Sequence, residues 1–371
     1  MTPELDLTGP TAELATAAMD VVRLLPGRPF DSVLAGMLVE AGRDGVVFAG
    51  TDRERTVRLA RPAVSHVDGR VLVPARPLAE TLRALDAVQV RLVVEGTRLA
   101  VRTPGARFAL PLLDVDLHPG VPAPPGRAGV VDAEPFSAAL AVVANTASRD
   151  EALPLFTGVH VRGEGDRLVL VSTDRYRMAV ARLPWRPAVE RLDVLLPAAL
   201  LTEVARQAAG VGRVTLHADG DRAALAWDGT TVSTALLAAP FPDESRHLAR
   251  AGGSTVELDA DALAGAVRRV SLYVAPRGVL SLELGDAEVR VRGADHQGGE
   301  AEEVVKADVR GDRAHPSYQA RYLADALRPF AGGRVRLDVR ARRTVFARAE
   351  NAPREVGLQY VLAQTITPGT R

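Results

Sequence analysis

The chain has 371 residues, 46 basic against 46 acidic side chains, and no cysteine. That length holds more than one hydrophobic core. The zero formal charge excludes a protein that finds nucleic acid through a strong overall field, and the missing cysteines exclude disulfides, thiolate nucleophiles and cysteine metal sites, as suits a reducing cytoplasm.

In chain order, residues before about Ala12 read as a loose tail rich in Thr and Pro, and an amphipathic helix is expected over 13–25. A valine-rich run leads through Val73-Pro74-Ala75-Arg76 into a helix with Leu78, Leu82 and Leu85 on one face, followed by strands at 90–92 and 98–102. Residues 119–126, with four prolines and two glycines, form a linker. The next third repeats the order: a helix at 135–147, a strand at 167–171, a helix keeping Leu201, Ala205 and Ala208 on one face, then a strand at 214–216. After a break near 251–254, the last third has a strand at 255–258, a helix at 260–270, a strand at 287–291 and a helix with Leu323, Leu327 and Phe330 on one face. An acid three residues before an arginine recurs as Glu80/Arg83, Glu203/Arg206 and Asp325/Arg328, and Thr51-Asp52-Arg53-Glu54-Arg55 returns as Thr173-Asp174-Arg175-Tyr176-Arg177. The pattern predicts three similar α+β domains over 1–126, 127–252 and 253–371, each with antiparallel strands packed under two helices.

Catalytic signatures do not emerge. The seven histidines are scattered, no phosphate-loop glycine pattern is present, and the one lysine, Lys306, lies in an acidic strand. Asp52 and Asp174 occupy equivalent places in the repeat, so they are expected to brace turns rather than to catalyse. A non-enzymatic protein without metal or cofactor is expected, with neither a signal peptide nor a membrane span.

Across nearly the whole chain, ordered strings resemble the bacterial replicative sliding clamp, the β subunit of DNA polymerase III. They are Val73-Pro74-Ala75-Arg76, Leu153-Pro154-Leu155-Phe156-Thr157-Gly158, Thr173-Asp174-Arg175-Tyr176-Arg177-Met178-Ala179, Phe241-Pro242-Asp243, Glu300-Ala301-Glu302-Glu303 and Tyr322-Leu323-Ala324-Asp325. The resemblance implies a DNA clamp fold whose head-to-tail homodimer closes as a ring around duplex DNA, sequence-independently. It implies a processivity factor in the cytoplasm at the nucleoid, tethering DNA polymerase and the clamp loader through short apolar peptide motifs. Arg23, Arg28, Arg83, Arg206, Arg268, Arg321 and Arg328 would face DNA. The dimer seam would hold Phe108, Leu110, Val270 and Pro276 as its apolar part, with Arg107, beside Arg98 and Arg102, opposite Glu300, Glu302 and Glu303.

The same resemblance implies a client-peptide pocket walled by Phe156, Thr173, Arg175, Tyr176, Arg177, Met178, Pro242, Arg246, His247, Val361 and Ala363. The chain departs from the family there. Arg175 stands for the expected glycine, Phe156 for a leucine-like residue, and the end of the chain lacks Met-Pro-x-Arg-Leu. Two readings stay open: a clamp with an altered pocket for clients or antibiotic peptides, and a clamp-like scaffold or resistance paralogue that does not serve the main replicase.

Overall fold

The computed structural model describes residues 4–25, 33–248, 253–295, 298–349 and 356–365. Its main helices are α1 (Thr11–Leu24), α2 (Ala75–Arg83), α3 (Ala133–Thr146), α4 (Ala198–Gln207), the one-turn α5 (Ser245–Leu248), α6 (Ala260–Val270) and α7 (Ala320–Leu327). All but α5 start at the residue after a strand ends: Asp6–Pro10 runs into α1, Gly69–Pro74 into α2, Arg127–Asp132 into α3, Asp193–Pro197 into α4, Ser254–Asp259 into α6 and Ser317–Gln319 into α7. The repeat in the sequence is therefore a repeat of strand-then-helix joints.

Each helix follows from its apolar spacing. In α1, Leu14, Ala17, Ala18, Val21 and Leu24 are buried at helical period. In α6, Leu263, Ala266, Val267 and Val270 are buried, and the Asp259 carboxylate accepts the Ala262 N–H at 2.7 Å as an N-cap. In α7, Leu323, Ala326 and Leu327 do the same. Each large side chain so buried contributes about 1.5–3 kcal/mol.

The described residues fall into two compact units: residues 1–137, 185–196 and 203–236 in one, and 138–184, 197–202 and 237–371 in the other. In the first, a five-stranded sheet has the order Val64–Val67, Asp6–Pro10, Gln89–Glu95, Arg98–Thr103, Ala106–Pro111. Asp6–Pro10 corrects the expected tail. Leu5 and Leu7 are buried on its inner face, and it pairs on both sides, with register Leu7↔Leu92 and Thr8↔Val64. Two apolar positions among Thr and Pro were too short a signal to read. A Cβ at Gly69 would lie 1.7 Å from the Glu4 carbonyl oxygen, so only glycine lets the chain cross there.

A nine-stranded sheet completes this unit, and its strands come from two thirds of the sequence: Thr230–Ala235 pairs with Arg55–Arg61 in the register Val232↔Val57. The second unit is built likewise. Arg177–Pro184 pairs with Gly357–Ala363, Met178 opposite Val361, within a run from Gly158–Glu164 through Arg343–Arg348 and Ser254–Asp259 to Ser317–Gln319. The middle third thus shares its strands between both units. Residues 119–126 carry neither helix nor strand.

Candidate functional site

The turn that opens the site appears twice. At Thr173–Arg177, the Thr173 hydroxyl donates to the Arg177 carbonyl at 2.8 Å and accepts the Arg175 N–H at 3.1 Å, while Asp174 Oδ1 accepts the Tyr176 and Arg177 N–H groups at 3.0 Å. Thr51 and Asp52 make the same bonds to residues 53–55. Both aspartates brace turns, as expected from their place in the repeat. Arg175 and Arg53 have φ of +79° and +78°. An L-residue in this left-handed region costs about 1–2 kcal/mol, which glycine avoids, so the side-chain bonds of Thr and Asp must hold the turn.

Beside this turn lies a cavity of about 350 Å³. Its wall brings together Phe156, Thr173, Arg175, Tyr176, Arg177, Met178, Pro242, His247, Val361 and Ala363, with Arg342 and Arg343, which sequence reasoning missed. Arg246 does not line it. Its carbonyl instead accepts a bond from Arg343 Nη2 at 2.8 Å, and the His247 carbonyl accepts Arg343 Nε at 3.0 Å, so Arg343 caps the C-terminal end of α5. The only sequence signal for the two arginines was their adjacency in the chain, which is not specific. Beneath the wall, Met178 and Val361 belong to a core cluster with Val169, Val171, Val180 and Val345, against which Phe241 and Leu248 pack.

α5 and the loop before it are pinned by Glu244, 3% exposed, which accepts from both terminal nitrogens of Arg162. Burial alone would raise the Glu244 pKa; the Arg162 bonds outweigh it and hold the carboxyl below its ordinary range. Such a pair fixes geometry more than it adds stability.

Arg175 extends over Phe156, its guanidinium 5.8 Å from the ring centroid. Arg177 turns inward. Its Nε meets Asp174 Oδ2 at 3.0 Å, Nη1 donates to Asp325 Oδ2 at 2.7 Å and to the Tyr360 hydroxyl at 3.2 Å, and Nη2 donates to the Asn145 carbonyl at 3.2 Å. Burial works against its charge, yet Tyr360 and Asp174 hold its pKa above that of a free guanidinium. On the far side of Arg177 a second cavity, about 490 Å³, opens between α3 and α7. Tyr176 and Tyr322 stack with centroids 6.1 Å apart.

The remaining expected site residues are placed as follows. Phe108 and Leu110 lie on Ala106–Pro111, an edge strand; Phe108 is 44% exposed and Leu110 half-buried. Pro276 is exposed. Val270 is a correction: it is 2% exposed, in the core face of α6, and its Cγ1 closes on Gly293, so its side chain is spent inside its own unit. The apolar groups presented there are instead Leu272, 81% exposed, and Tyr273, which helical periodicity could not single out. Charges are partly spent too. Arg102 and Arg107 both pair with Glu95, Glu302 pairs with Arg290 and Arg292, and Glu303 pairs with Arg269. Glu300 is exposed.

Among the arginines expected to face DNA, Arg28 lies outside the described residues. Arg23 pairs with Asp20 at 3.4 Å, and Arg206 pairs with Glu203 and lies 3.8 Å from Asp20. Burial raises the Asp20 pKa against the pull of Arg206 and Arg23. Arg321 rests on Tyr322, 4.4 Å from the ring centroid. Arg83, Arg268 and Arg328 are exposed and form no ion pair among the described residues.

With this geometry in place, comparison with known proteins decides the family. Models of the DNA polymerase III β subunit match in sequence order: its N-terminal domain at residues 5–122, its central domain at 130–243 and its C-terminal domain at 247–353. The chain belongs to this family. It is similar to the beta sliding clamp of Streptomyces coelicolor, 31% identical over 323 residues that cover 85% of each chain. It is also similar to the beta sliding clamp homolog GriR of Streptomyces muensis, 29% identical over 311 residues and 83% of each. A sliding clamp from Pseudomonas aeruginosa, solved bound to griselimycin, matches with a TM-score of 0.91 over 98% of this chain and 100% of that one, at 21% identity. The fold is the three-domain α+β clamp fold.

Proposed function

We propose that the chain is a DNA sliding clamp, a non-catalytic processivity factor whose head-to-tail homodimer encircles duplex DNA and tethers DNA polymerase. Its clamp domains span 1–126, 127–252 and 253–371. The observation that carries the ring is a pair of unfilled sheet edges. Among the described residues, Ala106–Pro111 has a neighbour on one side only. Glu300–Arg310 pairs with Glu288–Ala294 along 300–306 and with Ser254–Asp259 along 307–310, which leaves the opposite side of 300–306 without a strand among the described residues. Open edges beside exposed Phe108, Leu272 and Tyr273 invite pairing with a second copy. A contact between different edges is heterologous and closes when the rotation fits. Light scattering tests this: twice the chain mass supports the ring, and a stable monomer ends it.

The cavity beside Thr173–Arg177 is the client-peptide site of this reading, with an apolar floor and a rim of arginines suited to a short segment in extended or helical form. A second reading is favoured by Arg175 held over Phe156 in the cavity wall, two positions where the chain departs from the family: the chain accepts fewer ligands than an ordinary clamp and serves as a paralogue that refuses an antibiotic peptide. Calorimetry with griselimycin separates the two. Affinity equal to that of an ordinary clamp supports the first reading, and a loss of about thirtyfold, the size of one lost hot-spot anchor, supports the second.

A further inference from the structure

The client cavity has an unbalanced wall. Among the described residues, Arg175, Arg177, Arg342 and Arg343 line it, and no Asp or Glu does. Two of these guanidinium groups are already spent, Arg177 on Asp174, Asp325 and Tyr360, and Arg343 on the carbonyls of Arg246 and His247. The other two are not. Arg342 is exposed, and neither its side chain nor that of Arg175 has a carboxylate partner among the described residues; Arg175 meets only the face of Phe156.

Backbone strain alone does not mark Arg175, because Arg53 adopts the same φ in the first unit. Its surroundings do. Arg175 is held over a ring at the mouth of a cavity floored by Met178 and Val361, and an aromatic face keeps a guanidinium plane oriented while leaving its N–H edge open. A guanidinium edge of this kind matches a carboxylate with two parallel bonds.

We infer that the peptides this cavity selects carry an acidic residue next to their apolar anchor, and that Arg175 and Arg342 read that carboxylate. The inference rests on the client-peptide reading above. An apolar anchor alone would fill the floor and leave the two exposed guanidinium groups at the rim without an anionic partner. A flanking Asp or Glu neutralises them, and the same rim disfavours peptides with basic flanks.

The test uses the full-length protein and two labelled peptides with the same Leu-Leu-Phe anchor, one flanked by two aspartates and the other by two asparagines, titrated at low and high salt. The aspartate peptide is expected to bind about tenfold more tightly at low salt, with the ratio shrinking as salt screens the pair. Arg175→Gly, which relieves the left-handed strain and so keeps the turn folded, and Arg342→Ala are each expected to reduce the ratio. Equal binding of both peptides to the unaltered protein overturns the inference and leaves the client site standing. Binding of neither peptide overturns the client-site reading itself. An unchanged ratio in both variants overturns the assignment to these two arginines.

Discussion

Asp325 Oδ2 accepts a hydrogen bond from Arg177 Nη1 at 2.7 Å, although Arg328 stands three residues further along, where helical spacing would pair it. Arg177 is 14% exposed and Asp325 is 49% exposed, so the two ends of the pair differ in what their loss costs. Arg177→Met leaves Asp174 Oδ2 without its partner and removes one partner of the buried Tyr360 hydroxyl, and is expected to cost about 2–3 kcal/mol. Asp325→Asn keeps an acceptor in place and is expected to cost under about 1 kcal/mol. Urea unfolding of both variants checks this, and equal losses would contradict the asymmetry.

The proposed dimer seam has its own contrast. Phe108→Ala and Leu272→Ala remove exposed apolar surface that only a partner would bury, worth about 1.5–3 kcal/mol each. Both variants should shift the mass toward one chain while keeping the unfolding midpoint of that chain. Val270→Ala should act in reverse, lowering stability by about 2 kcal/mol through a core cavity, with the dimer affinity little changed.

How much of this was legible in the sequence differs by element. The six long helices were, because Leu78/Leu82 and Leu323/Leu327 spell helical period; the strands that run into them were read only before α6 and, as a valine-rich run, before α2. The strand at Asp6–Pro10 was not, since two leucines among Thr and Pro carry too little pattern. The sharing of sheets by the middle third was not either: pairing such as Val232↔Val57 is set by contacts between distant residues that no local window contains. At the cavity, ten of the eleven expected residues were placed by resemblance, whereas Arg342 and Arg343 sit at the turn into the strand Arg343–Arg348, whose position depends on its register with Gly357–Ala363. Asp325 pairs with Arg177 rather than with Arg328 because proximity along a helix is only a weak preference, and Arg177 offers a more buried site.

His118 gives a pH signature. It is buried, its Nδ1 accepts the Gly120 N–H at 3.1 Å, and burial, followed by the nearby Arg70, lowers its pKa below the ordinary 6.5. The unfolded chain therefore binds this proton at a higher pH than the folded one. Stability linked to His118 is fully present above about pH 6.5 and is lost as pH falls from there through the depressed folded value. His118→Gln should remove that part of the dependence. Urea midpoints for both proteins across this window check it, and parallel curves would show that His118 does not contribute.

The arginines proposed to face DNA should not contribute alike. Arg23 and Arg206 are tied to Asp20 and Glu203, whereas Arg83, Arg268 and Arg328 have no such partner among the described residues. Replacing any of the latter three by alanine should reduce the slope of log affinity against log salt by about one phosphate contact, roughly 0.9. Arg206→Ala should change it less, since its charge is already offset. Fluorescence anisotropy on a short duplex at several salt concentrations measures the slopes, and a uniform change across all five would contradict the distinction.

The central claim is topological, so its most direct measurement is retention on DNA of two shapes. Protein placed on nicked circular duplex by a bacterial clamp loader is expected to stay through gel filtration at a salt concentration that releases it from short linear duplex, and to run off once the circle is cut at a single site. Retention on the cut DNA equal to that on the circle, or failure of the protein to remain on the circle after productive loading, would contradict a ring that holds DNA by encircling it.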